Sequence, residues 1–230
     1  MAIYEGFNSN GDSVVVTDDE LDQAAHVVGP LSTELADAAA QARRTDLVEH
    51  LRRSLDGADR PRKLAAAKAL LALDDRGAGA LLESLAASEP DTVVAKSFTA
   101  VATRLRAPHA ALELFEDPDT DPQLARLLVS NYNSHLRLDA GDIRFLVTAL
   151  RHYVARSLSW LTEMPVDIWD NGVFLIVNAL SNDGAVHLLR DNAPERSELV
   201  RLLAALPEHT DDDDIVNGAR DLRAAVSDGS

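Results

Sequence analysis

Three prolines, Pro61, Pro90 and Pro122, each follow Arg or an acidic residue and stand 29 and 32 residues apart. Proline is tolerated in the first turn of a helix, where the N–H it lacks has no partner anyway, so each marks the start of a helical interval. An interval of that length holds two short helices and two turns, and repetition at such a period is the signature of an array of helix pairs. The stretch ALLALDDRGAGALLESL, residues 69 to 85, contains the corner inside one interval: two leucine-rich runs meet at Asp74, Asp75, Arg76 and Gly77.

Apolar spacing supports helices along the rest of the chain. Thr17 and Glu20 form a capping-box start, Gly29-Pro30 ends that helix and opens the next, and Leu47, Leu51 and Leu55 make a stripe closed by Gly57. Further stripes run through Ala78, Leu81, Leu82 and Leu85; Val94, Phe98, Val101 and Leu105; Leu124, Leu127 and Leu128; and Ile143, Val147, Leu150 and Val154. The same spacing continues through Val173, Ile176, Val177 and Leu180; Leu199, Leu202, Leu203 and Leu206; and Ile215, Ala219, Leu222 and Val226. Residues 1 to 16, with turn formers at 8 to 11 and then VVV, read as a tail or one short strand. No strand is expected beyond them, so the predicted class is all-α.

Composition narrows the chemistry. At 230 residues and 46% hydrophobic, the chain has enough apolar content for a folded protein. It contains no Cys, which excludes disulfides, iron–sulfur clusters, Cys-ligated zinc and cysteine nucleophiles. The opening MAIYEGFNSN lacks a secretory pattern and the longest apolar runs, such as VFLIV at 173 to 177, fall far short of a membrane span, so no membrane association and a cytoplasmic location are expected. The net charge of −16 repels phosphate backbones, making nucleic acid an unfavoured partner and a basic protein a favoured one. Within residues 43 to 68, however, eight Lys and Arg face four acids, a local excess of +4. Such a patch suits an anionic partner, self-association or, given its interleaved charges, salt bridges within the chain.

The stretch RPRKLAAAKALLALDDRGAGALLESLAASEPDTVV resembles a HEAT-like repeat of the kind found in phycobilisome-lyase relatives: a basic first turn, an Ala-rich helix ending in Leu, an Asp-containing corner and a second helix of the form ALLxxL. EPDTVVAKSFTAVATRLRAPHAALELFED resembles a second, looser copy. The resemblance implies one helical-repeat domain over residues 17 to 230, clearest at 60 to 118 and irregular at 157 to 230. It also implies stacked antiparallel helix pairs forming a solenoid, whose concave surface is the expected functional face.

Candidate binding residues concentrate between 131 and 174, which holds six of the ten aromatics, including both Trp. Tyr132, His135, Trp160 and Trp169, with Asp167 and Asp170 bracketing Trp169, offer large rings with polar handles, the composition of recognition surfaces and equally of a core needing bulk. Arg144 and Arg151 lie two helical turns apart with Thr148 on the same side, and Arg137 continues the series if the helix begins earlier. An arginine ladder suits carboxylate or phosphate ligands, and otherwise makes a solvated face. The acidic motifs read as helix starts: DDELD at 18 to 22 in a first turn, DPDTD at 117 to 121 with Asp121 as a cap, and DDDD at 211 to 214. DPDTD is not a calcium loop, since Pro122 and Leu128 stand where Gly and Glu are needed. The seven His residues show no ligand spacing and no P-loop, nucleophile elbow or dinucleotide fingerprint is present, so no metal and no cofactor are expected.

The expected function is therefore a non-catalytic binding module whose concave face holds a protein or peptide partner, with self-association as a purely structural variant. The same resemblance implies an enzymatic alternative. HEAT-like alkylpurine DNA glycosylases place Trp, Asp and Arg in a concave groove, and Trp160, Asp167 and Arg151 around IWDNG are similar in type. Sixteen excess acids oppose the phosphate contacts such an enzyme needs. A small-molecule lyase on the same scaffold is the other enzymatic option.

Overall fold

A computed structural model of the chain describes residues 2–8, 10, 12–56, 59–132 and 136–227; Gly57 and His135, both singled out above, lie outside them. The described residues are predominantly helical, with one two-stranded sheet, and fall into two compact units, Met1–Arg106 and Ala107–Ser230.

In the first unit the residues expected to be a tail or one strand belong to an antiparallel hairpin of β1 (Ile3–Phe7) and β2 (Ser13–Thr17), with Glu5 opposite Val15. The hairpin leads directly into α1 (Asp18–His26) through the capping box: Glu20 N–H donates to Thr17 Oγ1 at 3.3 Å and Thr17 N–H to the Glu20 carboxylate at 2.8 Å. Asp18 accepts from Ala2 N–H and from the Tyr4 hydroxyl, which pins β1 to the helix start. The inner face of the hairpin rests on α2 (Thr33–Gln41) so closely that a Cβ on Gly6 would lie 2.7 Å from the Glu34 carbonyl oxygen. Only glycine fits that approach. Gly29 and Pro30 fall in the connection between α1 and α2, where Leu31 N–H donates to the buried Ser54 hydroxyl at 2.7 Å.

The helices that follow are α3 (Val48–Ser54), α4 (Arg60–Ala72), α5 (Ala78–Ser88) and α6 (Thr92–Arg106). Alanine makes α4 narrow enough to be packed on several sides: Ala65, Ala66, Ala67, Ala69, Leu70, Leu71 and Ala72 are all buried, against α2, α3 and α6. Pro61 lies in the first turn of α4, with Asp59 as its cap, whereas Pro90 precedes α6 by two residues. Leu47, Leu51 and Leu55 are buried, as is the α6 stripe of Val94, Phe98, Val101 and Leu105. On α5, Ala78 and Leu82 are buried while Leu81 is exposed.

The corner at residues 74 to 77 is a helix terminus followed at once by a helix start. Asp75 N–H donates to Leu70 O and Asp74 N–H to Leu71 O, the paired closure in which the intervening residue turns left-handed, and Asp74 has φ 53°. The same closure ends α2 at Arg43, φ 56°. Asp75 then accepts both arms of the Arg52 guanidinium, at 2.8 and 3.0 Å, tying α3 to the corner. Lys63 of α4 reaches Glu89 beyond α5 at 2.5 Å, with both side chains largely covered. Arg44, Arg52, Arg60, Arg62 and Lys63 are thus ion-paired among the described residues, so much of the basic patch is neutralised within its own unit.

The second unit contains α7 (Pro108–Glu116), α8 (Pro122–Ser130), α9 (Ala140–Ala155), α10 (Ser159–Thr162), α11 (Val166–Leu180), α12 (Asp183–Asp191), α13 (Ala193–Ala205) and α14 (Asp213–Ser227). The helix α9 is central, packed against α7, α11 and α13. The stripes Val173–Ile176–Val177–Leu180, Leu199–Leu202–Leu203–Leu206 and Ile215–Ala219–Leu222–Val226 are buried throughout. Asp121 caps α8 through Gln123 N–H and Leu124 N–H, and Asp212 caps α14 through Asp214 N–H and Ile215 N–H, so these acidic runs act as helix starts.

Two outcomes follow, one from the corner and one from the Lys63–Glu89 pair. Asp74→Gly removes the left-handed strain at a cost in chain entropy and is expected to stabilise the protein by about 0.5–1 kcal/mol in urea unfolding; a loss of stability would mean that the Asp74 side chain holds the turn. The Lys63 ammonium keeps the Glu89 carboxyl below its ordinary range. That contribution is complete above the unfolded value of about 4.3 and is lost as pH falls through the lowered folded value. Lys63→Met should accordingly melt lower at neutral pH and lose less stability than wild type on acidification, measured by thermal melts from pH 7 to 3.

Candidate functional site

The arginine ladder is real as a geometric feature of α9. Helix α9 starts at a capping box in which Asp142 N–H donates to Asp139 and Asp139 N–H donates back to Asp142, both at 2.9 Å. Arg137 therefore precedes the helix and does not extend the series. From that start, Arg144, Thr148 and Arg151 share the face that looks into an open cleft of about 280 Å³ between α7, α9 and α13. Three glutamates, Glu116 of α7 and Glu195 and Glu198 of α13, line the opposite walls.

Electrostatics divides these groups. Glu198 accepts both arms of Arg201 at 2.7 and 3.0 Å, which holds its carboxyl below the usual range. Glu116 stands 2.9 Å from His152 Nε2 and 3.7 Å from Arg151, and His152 Nδ1 lies 2.6 Å from Ser157 Oγ. Arg144 is exposed and makes no ion pair among the described residues. Glu116, Glu195, Glu198 and the Glu116–His152–Ser157 line are absent from the sequence reading because their contacts join three separate helices and the turn after α9; no local spacing announces them.

The aromatic candidates go elsewhere. Tyr132 and Trp169 are buried, at 2% and 0% exposure. Tyr132 stacks on Phe145 at 5.1 Å, Phe145 meets Phe115 edge-on at 5.6 Å, Phe115 meets Trp160 at 5.5 Å, and Trp160 meets Tyr153 at 6.0 Å. Trp169 completes the series, donating its indole N–H to the Tyr153 carbonyl at 2.9 Å with the Arg156 guanidinium over its ring. The series joins α7, α9, α10 and α11 through their interior, so these rings supply bulk to the core. Burial pushes the Tyr153 phenol up to about 12, and its ring lies where the side chain of Gly172 would be: a Cβ there would clash with the ring.

The remaining candidates are dispersed. Asp167 sits on the exposed first turn of α11 and is not part of the cleft that holds Arg151. Asp170 accepts from the Thr210 hydroxyl at 2.6 Å, tying α11 to the segment before α14. His135 lies outside the described residues. Trp160, Asp167 and Arg151, the set similar to the glycosylase groove, thus occupy a ring cluster, an exposed helix start and the cleft respectively. Among the described residues no three His, Asp or Glu side chains converge as a metal site requires, and no single helix is long and apolar enough to cross a membrane. No family model matches the chain, nor does any curated protein or solved structure.

The Tyr132 hydroxyl donates to the fully buried Asp142 carboxylate at 3.0 Å. Tyr132→Phe is expected to destabilise the protein by about 1–3 kcal/mol, the cost of weakening a buried hydrogen bond to a carboxylate. Chemical denaturation measures it; unchanged stability would mean that the hydroxyl adds nothing to the fold beyond the packing of the ring.

Proposed function

We propose that the chain is a non-catalytic protein-binding module made of HEAT-like helix pairs, and that the cleft between α7, α9 and α13 is a contact site for a protein or peptide partner. The observation that carries this reading is the cleft itself, in which two guanidinium groups and three carboxylates face the same open space of about 280 Å³. Arg144 offers a planar fork of donors to a partner's carboxylate or backbone carbonyl, and the glutamates offer acceptors to its cations. Mixed signs at close quarters suit a polypeptide surface better than a nucleic acid backbone, which presents one sign only. The overall charge of −16 favours a basic partner.

The array reading draws support from the first unit. Helices α2 and α4 end in the same left-handed closure, at Arg43 and Asp74, 31 residues apart, close to the proline interval. Helix α4 packs on both α2 and α6, as the first helices of successive pairs do when pairs stack. A superhelix with a concave binding surface and a cytoplasmic location belong to the same proposal.

The double variant Arg144→Ala/Arg151→Ala tests it. Both residues are exposed, so stability should change by no more than about 0.5 kcal/mol per site. Affinity capture of tagged wild-type protein from its native lysate, read by mass spectrometry at low and high salt, should recover a stoichiometric, salt-sensitive protein that the variant loses. Equal recovery by both would remove the cleft from the reading, and recovery of nucleic acid or a small molecule without protein would put an enzymatic role ahead of it.

A further inference from the structure

The hairpin of the first unit has one covered edge and one open edge. Asn8 N–H donates to Asp12 O and Asp18 N–H to Ala2 O, so the pairs 8:12 and 2:18 are hydrogen-bonded across the ladder. Antiparallel pairs alternate, which makes 4:16 and 6:14 hydrogen-bonded and turns the backbone groups of the intervening pairs outward, including Glu5 opposite Val15 and Phe7 opposite Ser13. On β1 two of these outward groups are taken up by α2: Glu5 O accepts from the Gln41 side chain and Phe7 N–H donates to Asp37. On β2 the corresponding groups of Ser13 and Val15 have no backbone hydrogen-bonding partner among the described residues. An unpaired strand edge is a template for another strand.

Beside that edge lies an open groove of about 390 Å³ formed by β2, α1 and the start of α2. Its apolar lining includes Val14, Val16, Ala24, Val27, Leu31 and Leu35, and Val15 and Val27 are 59% and 64% exposed. The charge around it has one sign. Glu20 and Glu34 line the groove with no Lys or Arg, and residues 1 to 42 contain eight Asp and Glu and no Lys or Arg at all. That excess repels the same surface of a second copy and attracts a cationic strand.

We propose that the outer edge of β2 is a strand-addition site for a basic, extended peptide. The peptide pairs its backbone with the N–H and C=O of Ser13 and Val15, places alternate apolar side chains in the groove, and directs its Lys or Arg residues to the surrounding carboxylates. Main-chain pairing supplies affinity and the groove supplies specificity, the division of labour seen whenever a peptide extends a sheet. The site stands independently of the cleft on α9, and either can fail alone.

The test is calorimetric titration of the full chain with a synthetic decapeptide of alternating Val and Lys. Saturable one-to-one binding is expected, weakened as salt is raised. Three comparisons identify its mode. A decapeptide N-methylated on the amides of one edge keeps its charge but cannot pair, and should bind about ten-fold or more weakly. Val15→Pro removes an outward N–H that the hairpin does not use and should weaken the parent peptide similarly while leaving the circular dichroism spectrum unchanged. Glu34→Lys should also weaken it and flatten the salt dependence. Absence of saturable binding overturns the proposal, as does equal affinity for the parent and N-methylated peptides, which would reduce the interaction to charge alone. A peptide-free dimer that Val15→Pro disperses would assign the edge to a second copy and overturn it as well.

Discussion

A helix of nine or so residues can bury one stripe of apolar side chains and nothing more; alone in water it is marginal. Half of the fourteen helices among the described residues are no longer than that, and each unit has one helix that is covered on several sides. In the first unit α4 takes this place because its alanines let α2, α3 and α6 approach together. In the second it is α9, which buries Ile143, Phe145, Leu146, Val147, Ala149, Leu150 and Tyr153 against α7, α11 and α13. At about 1.5–3 kcal/mol for each large side chain fully removed from water, α9 contributes heavily through its own side chains, whereas α4 contributes chiefly by letting the larger side chains of its neighbours close around it.

The central position of α9 also explains the character of its cleft. Half of the sixteen residues of this helix are buried, and the face carrying Arg144, Thr148 and Arg151 is left to the cleft. The rings that a sequence reading takes for a recognition surface are drawn inward to fill the space between α9 and its neighbours. Gly172 shows how tightly that space is filled: the Tyr153 ring occupies the place of its missing side chain. In this unit charge lines the open cleft, while the aromatics hold together the helices that present it.

Charge is handled differently in the first unit. Acids dominate its beginning and cations follow, and the two meet in short-range pairs such as Arg44 with Asp22 and Asp46, Arg52 with Asp75, and Lys63 with Glu89. What remains unbalanced is the hairpin and α1, where no Lys or Arg occurs before Arg43. The open strand edge lies within that unbalanced surface, so its chemistry is set as much by the missing cations as by the valines that line it.

Much of the architecture is legible in the chain because helix signals are local. Periodic Leu, Val and Ile identify the buried faces of α6, α11, α13 and α14, and Thr17, Asp121 and Asp212 mark helix starts through hydrogen bonds that span two or three residues. The hairpin is half-visible: VVV announces β2, but β1 carries Gly6, which is there for the close approach of α2 and weakens the strand signal. Arg144, Thr148 and Arg151 share a face by helical spacing alone. Which groups oppose them does not follow from spacing, because Glu116, Glu195 and Glu198 arrive on other helices. Nor does the fate of Tyr132 and Trp169, since a ring with a polar handle suits a surface or an interior until its neighbours are known. The sequence determined helices, caps and their apolar faces through interactions within a turn; only the tertiary structure decided which side chains meet, because that depends on how distant stripes share one limited interior.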